Sequence, residues 1–241
     1  NSRWEDVTGS LSASGLSISS ITSLTVQDGK FENCGNSIEG SKTGLTSSLI
    51  STHSVAVITV LKTDFNHNWL SNSSGEATAL SASGSSVVTI QFSSFTNIRG
   101  RDDEGETAGL MKMSNLTPAA EITITHCVFE EIFLAPLIPV NLISANVAVT
   151  MAPGVHFSFN NNTVRSLNMY SEREDVRKSS RVLNLPALSA LKFNDNTIEQ
   201  IGEGILADEF KFHSFAELIN MKIILVQQPA DVESHLELFE L

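Results

Sequence analysis

The sequence predicts an all-β chain that winds into a stack of short-stranded coils, a parallel β-solenoid. Three observations predict this fold: an aromatic residue returns at regular intervals, apolar residues alternate along the chain upstream of it, and no segment between them has helical periodicity. The returning residue is a phenylalanine, at spacings of 34, 30, 34, 30 and 34 residues: Phe31, Phe65, Phe95, Phe129, Phe159 and Phe193.

Each repeat divides into three predicted strands. Every second side chain of a strand lies on the same face, so each phenylalanine and the residue two before it face the interior, while the residue directly after it faces water. A second strand is indicated upstream by apolar pairs such as Leu24 and Val26, and a third by stretches such as Leu49–Ile50. One residue per coil is expected at the corner before the phenylalanine strand: Asp28, Lys62, Phe92, His126, His156 and Ala190.

The phenylalanine rings are expected to form one internal stack, because neighbouring coils lie roughly 4.8 Å apart. Burial of each ring stabilises the fold by about 1.5–3 kcal/mol, and a one-residue slip of register would turn every ring outward. Phe215 and Phe239 continue the series at shorter spacing, so we expect about six to eight coils. These form a single domain over residues 1–241, best defined over 11–196, with terminal coils or a cap over 197–241.

The charge and hydropathy of the chain exclude two kinds of partner. Lys and Arg number 15 and Asp and Glu 27, so the net charge is 15 − 27 = −12 with histidine neutral. This charge repels phosphate backbones, so we expect no nucleic-acid partner. No apolar run approaches the roughly 18 residues of a membrane-spanning helix, so we expect no transmembrane segment.

Two short motifs connect this pattern to known repeats. Phe-x-x-Asn and approximations to Gly-Gly-Ala-aliphatic occur at Phe65/Asn68, Phe159/Asn162, Phe193/Asn196, Thr78-Ala79-Leu80 and Ala108-Gly109-Leu110. In these motifs the chain resembles right-handed parallel β-helix repeat proteins, most of all the passenger repeats of chlamydial polymorphic outer-membrane proteins. The resemblance covers about residues 11–196 and implies a right-handed coil with an extracellular or cell-surface location.

The two cysteines test the proposed register. Cys34 and Cys127 both fall on inward positions, three coils and therefore about 14 Å apart. A disulfide needs Cα atoms within roughly 7 Å, so the register predicts two buried free thiols. Asn162 and Asn196 are expected in adjacent coils of the inward column after the turn, where each amide bonds its neighbour and the turn backbone.

Long loops are expected to leave the stack over residues 36–46, 71–78, 99–107 and 166–181, and a protein or glycan partner would be bound through them. The loop RGRDDEGE, Arg99 to Glu106, is the candidate metal site. Its carboxylates are hard oxygen ligands of the kind that calcium prefers, namely Asp102, Asp103, Glu104 and Glu106. Their spacing is not that of an EF-hand, and an ordinary acidic loop is the alternative reading.

Histidines offer one further constellation. His126 and His156 are expected in the corner column of adjacent coils with rings about 5 Å apart, yet two histidines do not complete a zinc site. The sequence contains no HExxH motif, nucleophile elbow or glycine-rich phosphate loop, and no cofactor other than calcium is indicated.

These observations favour a non-enzymatic extracellular or surface module acting in adhesion, in partner binding or as a rigid spacer. The alternative is a polysaccharide lyase or glycoside hydrolase on the same scaffold, which would need several acidic residues in one cleft. The chain has 13 Phe but only two Trp and one Tyr, so most aromatic residues are expected inside, and glycan binding is left to loops or a polar cleft. The unpaired strand edges at both ends leave end-to-end or lateral assembly open.

Overall fold

Within the residues that the computed structural model describes, the chain forms 23 β-strands and no helix. The described residues are 3–5, 16–34, 48–72, 77–102, 109–136, 141–147, 155–168, 181–184, 188–201, 205–207, 215–217 and 222–224. In these ranges no helix is long and apolar enough to cross a membrane.

The strands, numbered in chain order, form three parallel sheets, which we call A, B and C. Sheet A contains β1 (Arg3–Glu5), β4 (Lys30–Glu32), β7 (Asp64–Asn66), β8 (Trp69–Asn72), β11 (Ser94–Asp102), β14 (Val128–Pro136), β17 (Thr163–Asn168), β20 (Thr197–Ile201) and β23 (Lys222–Ile224). Sheet B contains β2 (Leu16–Ser19), β5 (Ile50–His53), β9 (Ala77–Ser83), β12 (Gly109–Leu116), β15 (Asn141–Val147), β18 (Arg181–Asn184) and β21 (Ile205–Ala207). Sheet C contains β3 (Ser23–Gln27), β6 (Val57–Leu61), β10 (Val87–Gln91), β13 (Glu121–Thr125), β16 (Val155–Asn160), β19 (Leu188–Lys192) and β22 (Phe215–Glu217).

The chain passes through sheets B, C and A in turn, and each passage is one coil. Neighbouring coils pair in parallel and in register, so that Thr25 of β3 lies opposite Thr59 of β6, and Thr59 opposite Thr89 of β10. Buried and more exposed residues alternate along the strands of sheet C because successive side chains of a strand point to opposite faces. The predicted all-β parallel solenoid with three strands per coil is thus confirmed.

The predicted ring stack is also confirmed. Consecutive rings of the six phenylalanines lie 4.9, 4.6, 5.1, 5.8 and 5.1 Å apart between centroids, and every ring is buried. The largest interplanar angle, 26°, falls between Phe129 and Phe159. The rings therefore form one continuous column inside the tube.

The strand assignment of the last two rings was wrong. Phe129 pairs with Val164 across sheet A, whereas Phe159 pairs with Ile124 in sheet C. Phe193 follows directly after β19, which also belongs to sheet C. Both sheets face the same narrow interior beside their shared corner, so a ring from either strand fills the same volume.

The described corners of the coil hold residues with left-handed backbone. Between sheets C and A these residues have φ between 48° and 56°: Asp28, Lys62, Phe92, His126, Asn161 and Asp195. The predicted corner column was correct for its first four members and wrong for His156 and Ala190. These two pair with each other inside sheet C, where His156 also lies opposite Glu121.

Buried asparagines satisfy the backbone next to these corners. Asn162 accepts a hydrogen bond from the Cys127 N–H at 2.9 Å and donates to the Ile124 carbonyl at 2.9 Å. Asn196 repeats the arrangement one coil further on, accepting from the Asn162 N–H at 2.9 Å. The prediction of stacked asparagines in adjacent coils is confirmed, but their column is that of Cys127 and not that of Asn68, which follows the other end of sheet A.

Both cysteines are free and buried, as predicted. The Cys127 thiol donates to the Thr125 carbonyl at 3.3 Å. Burial raises the pKa of this thiol to about 11, although its backbone hydrogen bonds act in the opposite direction. Cys127 is therefore a structural, protonated residue at neutral pH.

Three predicted loops are shorter than expected, because parallel pairing continues beyond the corner that follows sheet A. Strand β8 runs to Asn72 and β11 to Asp102, with Arg99 paired to Trp69 on one side and Phe133 on the other. Similarly, β17 extends through residues 166–168 and β18 begins at residue 181. Strand β9 begins at Ala77, so it also takes up the last two residues of the loop predicted over 71–78. Residues 73–76, 103–107 and 169–180, and the predicted loop over 36–46, lie outside the described residues.

Candidate functional site

The predicted calcium loop falls mostly outside the described residues. Asp102 is the last residue of β11 and pairs with Asn72 and Pro136 across sheet A. Asp103, Glu104 and Glu106 lie in a range that the structure does not describe. Among the described residues, no group of three or more His, Cys, Asp and Glu side chains is placed to hold a metal ion. Calcium binding by this loop stays a prediction.

The expected histidine pair does not form. His126 lies at the corner between sheets C and A, while His156 lies inside sheet C opposite Glu121. The ring that stacks on His126 is that of Phe92, one coil earlier, at a centroid distance of 4.8 Å and an interplanar angle of 23°. The corner thus carries an aromatic pair in place of a histidine pair.

Phe92 is unusual in both its exposure and its backbone. It is 53% exposed, in a protein whose other described phenylalanines with assigned burial are buried, and its φ is 51°. A bulky L-residue in the left-handed region is a conformational outlier that costs on the order of 1–2 kcal/mol. The fold does not require an aromatic residue here, since Lys62 and Asn161 occupy the same corner in other coils. An exposed, strained aromatic residue therefore marks a candidate contact site.

The pair borders a flat outer surface, which we call the C wall. It consists of the three outward positions on each of five strands, fifteen in all: Ser23, Thr25, Gln27, Val57, Thr59, Leu61, Val87, Thr89, Gln91, Glu121, Thr123, Thr125, His156, Ser158 and Asn160. The middle column is a run of hydroxyl side chains in register, one per coil at roughly 4.8 Å: Thr25, Thr59, Thr89, Thr123 and Ser158. With histidine neutral, Glu121 is the one formally charged member of these fifteen, although the chain as a whole has a net charge of −12. The next strand of sheet C, β19, ends the hydroxyl column, because Lys192 lies opposite Ser158.

Several polar side chains of the C wall have no hydrogen-bond partner within the described part of the protein. Within the described part of the chain, the side-chain hydroxyls of Thr59, Thr89 and Thr123 have no protein partner, although these residues lie one above another. The amide of Gln91, beside Phe92 on the edge of the wall, has none either. These residues are half-buried, and their hydroxyls and amide, which do not bond one another, are free to exchange water for a ligand.

The outer face of sheet A, which we call the A wall, is arranged differently. The Thr96 hydroxyl donates to the Asn66 Oδ1 at 3.0 Å, and the Ser94 hydroxyl donates to Asp64 Oδ1 at 2.7 Å. Lys30 and Glu32 form an ion pair at 2.7 Å on the same face. Side chains of the A wall are thus bonded between and within coils.

Sequence reasoning missed the C wall although its signal was present. The strands LTV, ITV, VTI and ITI carry a threonine between two inward residues, and strand alternation alone predicts a threonine column on the outside. Phe92 was placed at the corner, but its exposure was not expected because phenylalanine is commonly buried.

Comparison with known proteins gave no match to a family model, to a curated protein or to a solved structure. The resemblance to polymorphic outer-membrane passenger repeats therefore rests on the motifs in the sequence.

Proposed function

We propose that the protein is a non-enzymatic binding module of the cell surface, in which the solenoid is a rigid scaffold and the C wall with its Phe92–His126 corner is the contact surface. The proposal combines the surface resemblance of the repeats with the geometry of this face. It moves the contact surface from the predicted loops to the coil itself.

One observation carries the proposal: an exposed aromatic residue with strained backbone borders a flat wall whose hydroxyl column makes no internal hydrogen bonds. The strain and the exposed apolar surface both reduce the stability of the isolated protein. A partner that covers the ring and bonds the hydroxyls would offset both costs. On the A wall, by contrast, the described polar side chains of neighbouring coils bond one another.

The alternative of a carbohydrate-active enzyme needs two carboxylates that face each other across a cleft. Two outward acids of sheet A are associated with cations instead. Glu32 lies 2.7 Å from Lys30, and Glu130 lies 3.9 Å from Arg165. No specific observation on the described residues favours catalysis, and binding is the function that we propose.

The test compares the full chain with wall variants on a panel of immobilised extracellular-matrix proteins, mucin-type glycoproteins and polysaccharides. Binding is measured by biolayer interferometry, and the same polysaccharides are followed for loss of chain length. We expect binding without depolymerisation, lost in Thr89→Arg and reduced in Phe92→Asn. The matched control is Thr96→Arg, which places the same charge on the A wall and should bind as the unmodified chain does.

Binding that persists in Thr89→Arg, or the absence of binding to every member of the panel, would contradict the proposal. Depolymerisation of a polysaccharide would favour the enzymatic alternative.

A further inference from the structure

We infer that the ligand of the C wall is a neutral oligosaccharide that lies along the threonine column. This inference rests on the proposed function and adds the chemical class of the ligand. Three properties of the wall carry it: its size, its lack of charge, and the mixture of groups along its edge.

The size of the wall fits a narrow ligand better than a folded partner. Five rungs at about 4.8 Å and strands of five residues give a face of roughly 20 by 13 Å, on the order of 250 Å². All seven strands of sheet C together give on the order of 400 Å². A stable protein–protein interface needs about 800 Å² per partner. A short, extended chain can be covered by such a face, whereas a globular partner or a second copy of this protein would extend well beyond it.

The charge of the wall favours a neutral ligand. Fourteen of its fifteen residues carry no formal charge, and the exception, Glu121, lies in an outer column. The chain as a whole is strongly acidic, with a net charge of −12, and therefore repels uronic acids, sulfated glycans and sialylated glycans. The fifteen positions of the wall include no cation. Two lysines lie at its borders, Lys192 on β19 and Lys62 at the corner beside Phe92, and two such charges are few against a net charge of −12.

The groups along the wall match the surface of a sugar. Each rung of the middle column offers a hydroxyl that can donate and accept, and Gln91 on the edge offers an amide that does both. The Gln27 amide, on the same edge, donates to Asp28 Oδ2 at 3.3 Å. Val57, Val87 and Leu61 lie between these polar groups and can pack against the C–H surface of a pyranose ring. A regular spacing of hydroxyls suits a polymer that repeats along its own axis.

The Phe92–His126 pair supplies the apolar anchor at the edge of the wall. Stacking covers one face of each ring, yet Phe92 keeps 53% of its surface exposed. Its neighbours on the strands of sheet C are Leu61, Gln91 and Thr125, so a ring in contact with Phe92 lies within reach of an amide and a hydroxyl. Aromatic contact with flanking polar groups is a common arrangement in sugar sites.

The experiment uses isothermal titration of the full chain with neutral cello-, laminari- and manno-oligosaccharides from the disaccharide to the hexasaccharide. Oligogalacturonates of the same lengths serve as the acidic comparison. We expect one neutral series to bind with an affinity that rises with length and then reaches a plateau, while the acidic series does not bind. Thr89→Arg should abolish binding, and Phe92→Asn should weaken it by about three- to tenfold, the usual effect of one aromatic contact. Thr96→Arg is the control on the A wall, and thermal unfolding verifies that each variant is folded.

Each other outcome overturns the inference in a recognisable way. One such outcome is wall-dependent binding to a panel protein, if that binding survives treatment of the protein with glycosidases. The ligand would then be a protein and not a glycan, and the proposed function would still hold. Concentration-dependent dimerisation that Thr89→Arg abolishes would identify a second copy of the chain as the occupant. Stronger binding of the acidic series would contradict the charge argument. If neither oligosaccharide nor panel protein binds in a wall-dependent manner, both the inference and the proposed function are wrong.

Discussion

The A wall and the C wall lie on adjacent sides of one tube and differ in the hydrogen bonding of their outward polar side chains. On their inward faces they share one core, in which sheet A supplies the first four rings of the phenylalanine column and sheet C provides Phe159, with Phe193 directly after its strand β19. On their outward faces they differ: polar side chains of the A wall bond one another, whereas the threonine hydroxyls of the C wall do not. The difference teaches that regular coils do not imply equivalent surfaces, since hydrogen bonds completed within a wall are not available to a ligand.

The largest effect is expected from the shared core. Phe95→Ala removes a buried ring between two others, at 4.6 Å from Phe65 and 5.1 Å from Phe129, and should lower the free energy of unfolding by about 3–5 kcal/mol. Ile90→Ala, on the inward face of sheet C, should cost about 2–5 kcal/mol for the same reason. Urea denaturation measures both. A loss below about 1 kcal/mol for Phe95→Ala would show that the two walls do not share one packed interior.

The next effect concerns the corner at which the walls meet. Asn162→Ala leaves the Cys127 N–H and the Ile124 carbonyl without their buried partner, so we expect a loss of about 2–4 kcal/mol in the free energy of unfolding. Thr125→Ala, on the nearby C wall, is the control and should change it by less than about 0.5 kcal/mol. If the two substitutions lowered the free energy of unfolding equally, interior amides and wall side chains would contribute equally to stability, contrary to this comparison.

Cys127, beside the same corner, makes stability depend on alkaline pH. Burial raises the pKa of its thiol from 9.0 to about 11, so between these values the folded chain keeps a proton that the unfolded chain releases. The resulting stabilisation is complete below about pH 9 and is lost as the pH rises towards 11, by a few kcal/mol in all. Urea denaturation at pH 8 and pH 11 should show this decrease in the unmodified chain. A decrease of the same size in Cys127→Ala would assign it to other groups.

The smallest effect tests the comparison of the walls directly. Thr96→Val removes the hydroxyl that donates to Asn66 on the A wall and should cost about 0.5–1.5 kcal/mol. Thr89→Val removes a hydroxyl with no protein partner on the C wall and should leave the free energy of unfolding nearly unchanged. Thermal unfolding of the two variants side by side resolves the difference. If Thr89→Val is the more destabilising of the two, the hydroxyls of the C wall serve the fold and not a ligand.

Much of the fold was predictable because its signals repeat. The spacing of the phenylalanines is visible in the sequence and predicts the ring column. Strand alternation then places the residues two before them inside, namely Gly29, Thr63, Ser93 and Cys127. The structure confirms both. The change of strand between Phe129 and Phe159 was not predictable in this way. The spacing predicts where along the chain a ring occurs. It does not predict which strand carries the ring, because strands of sheets A and C both face the same narrow interior.

The candidate site was predictable only in part. The threonine column is visible in the alternation of the sheet C strands, whereas the absence of bonds between its members depends on side-chain conformations that alternation does not determine. Phe92 could be assigned to a corner, but its exposure follows from the left-handed backbone that turns its ring away from the core. The acids at 103, 104 and 106 lie beyond the described strands, so the calcium prediction stays untested.

The passage of the ring column from one sheet to the next has an evolutionary consequence. The interior of the tube accepts an aromatic residue from either of two strands. Packing therefore requires that the same volume be filled, but it does not require the aromatic residue at the same position in every repeat. Substitutions that move the aromatic residue between strands, or small changes in repeat length, can then accumulate without disturbing the tube. Coils can therefore differ in sequence while they keep the same shape, as the coils of Phe129 and Phe159 do.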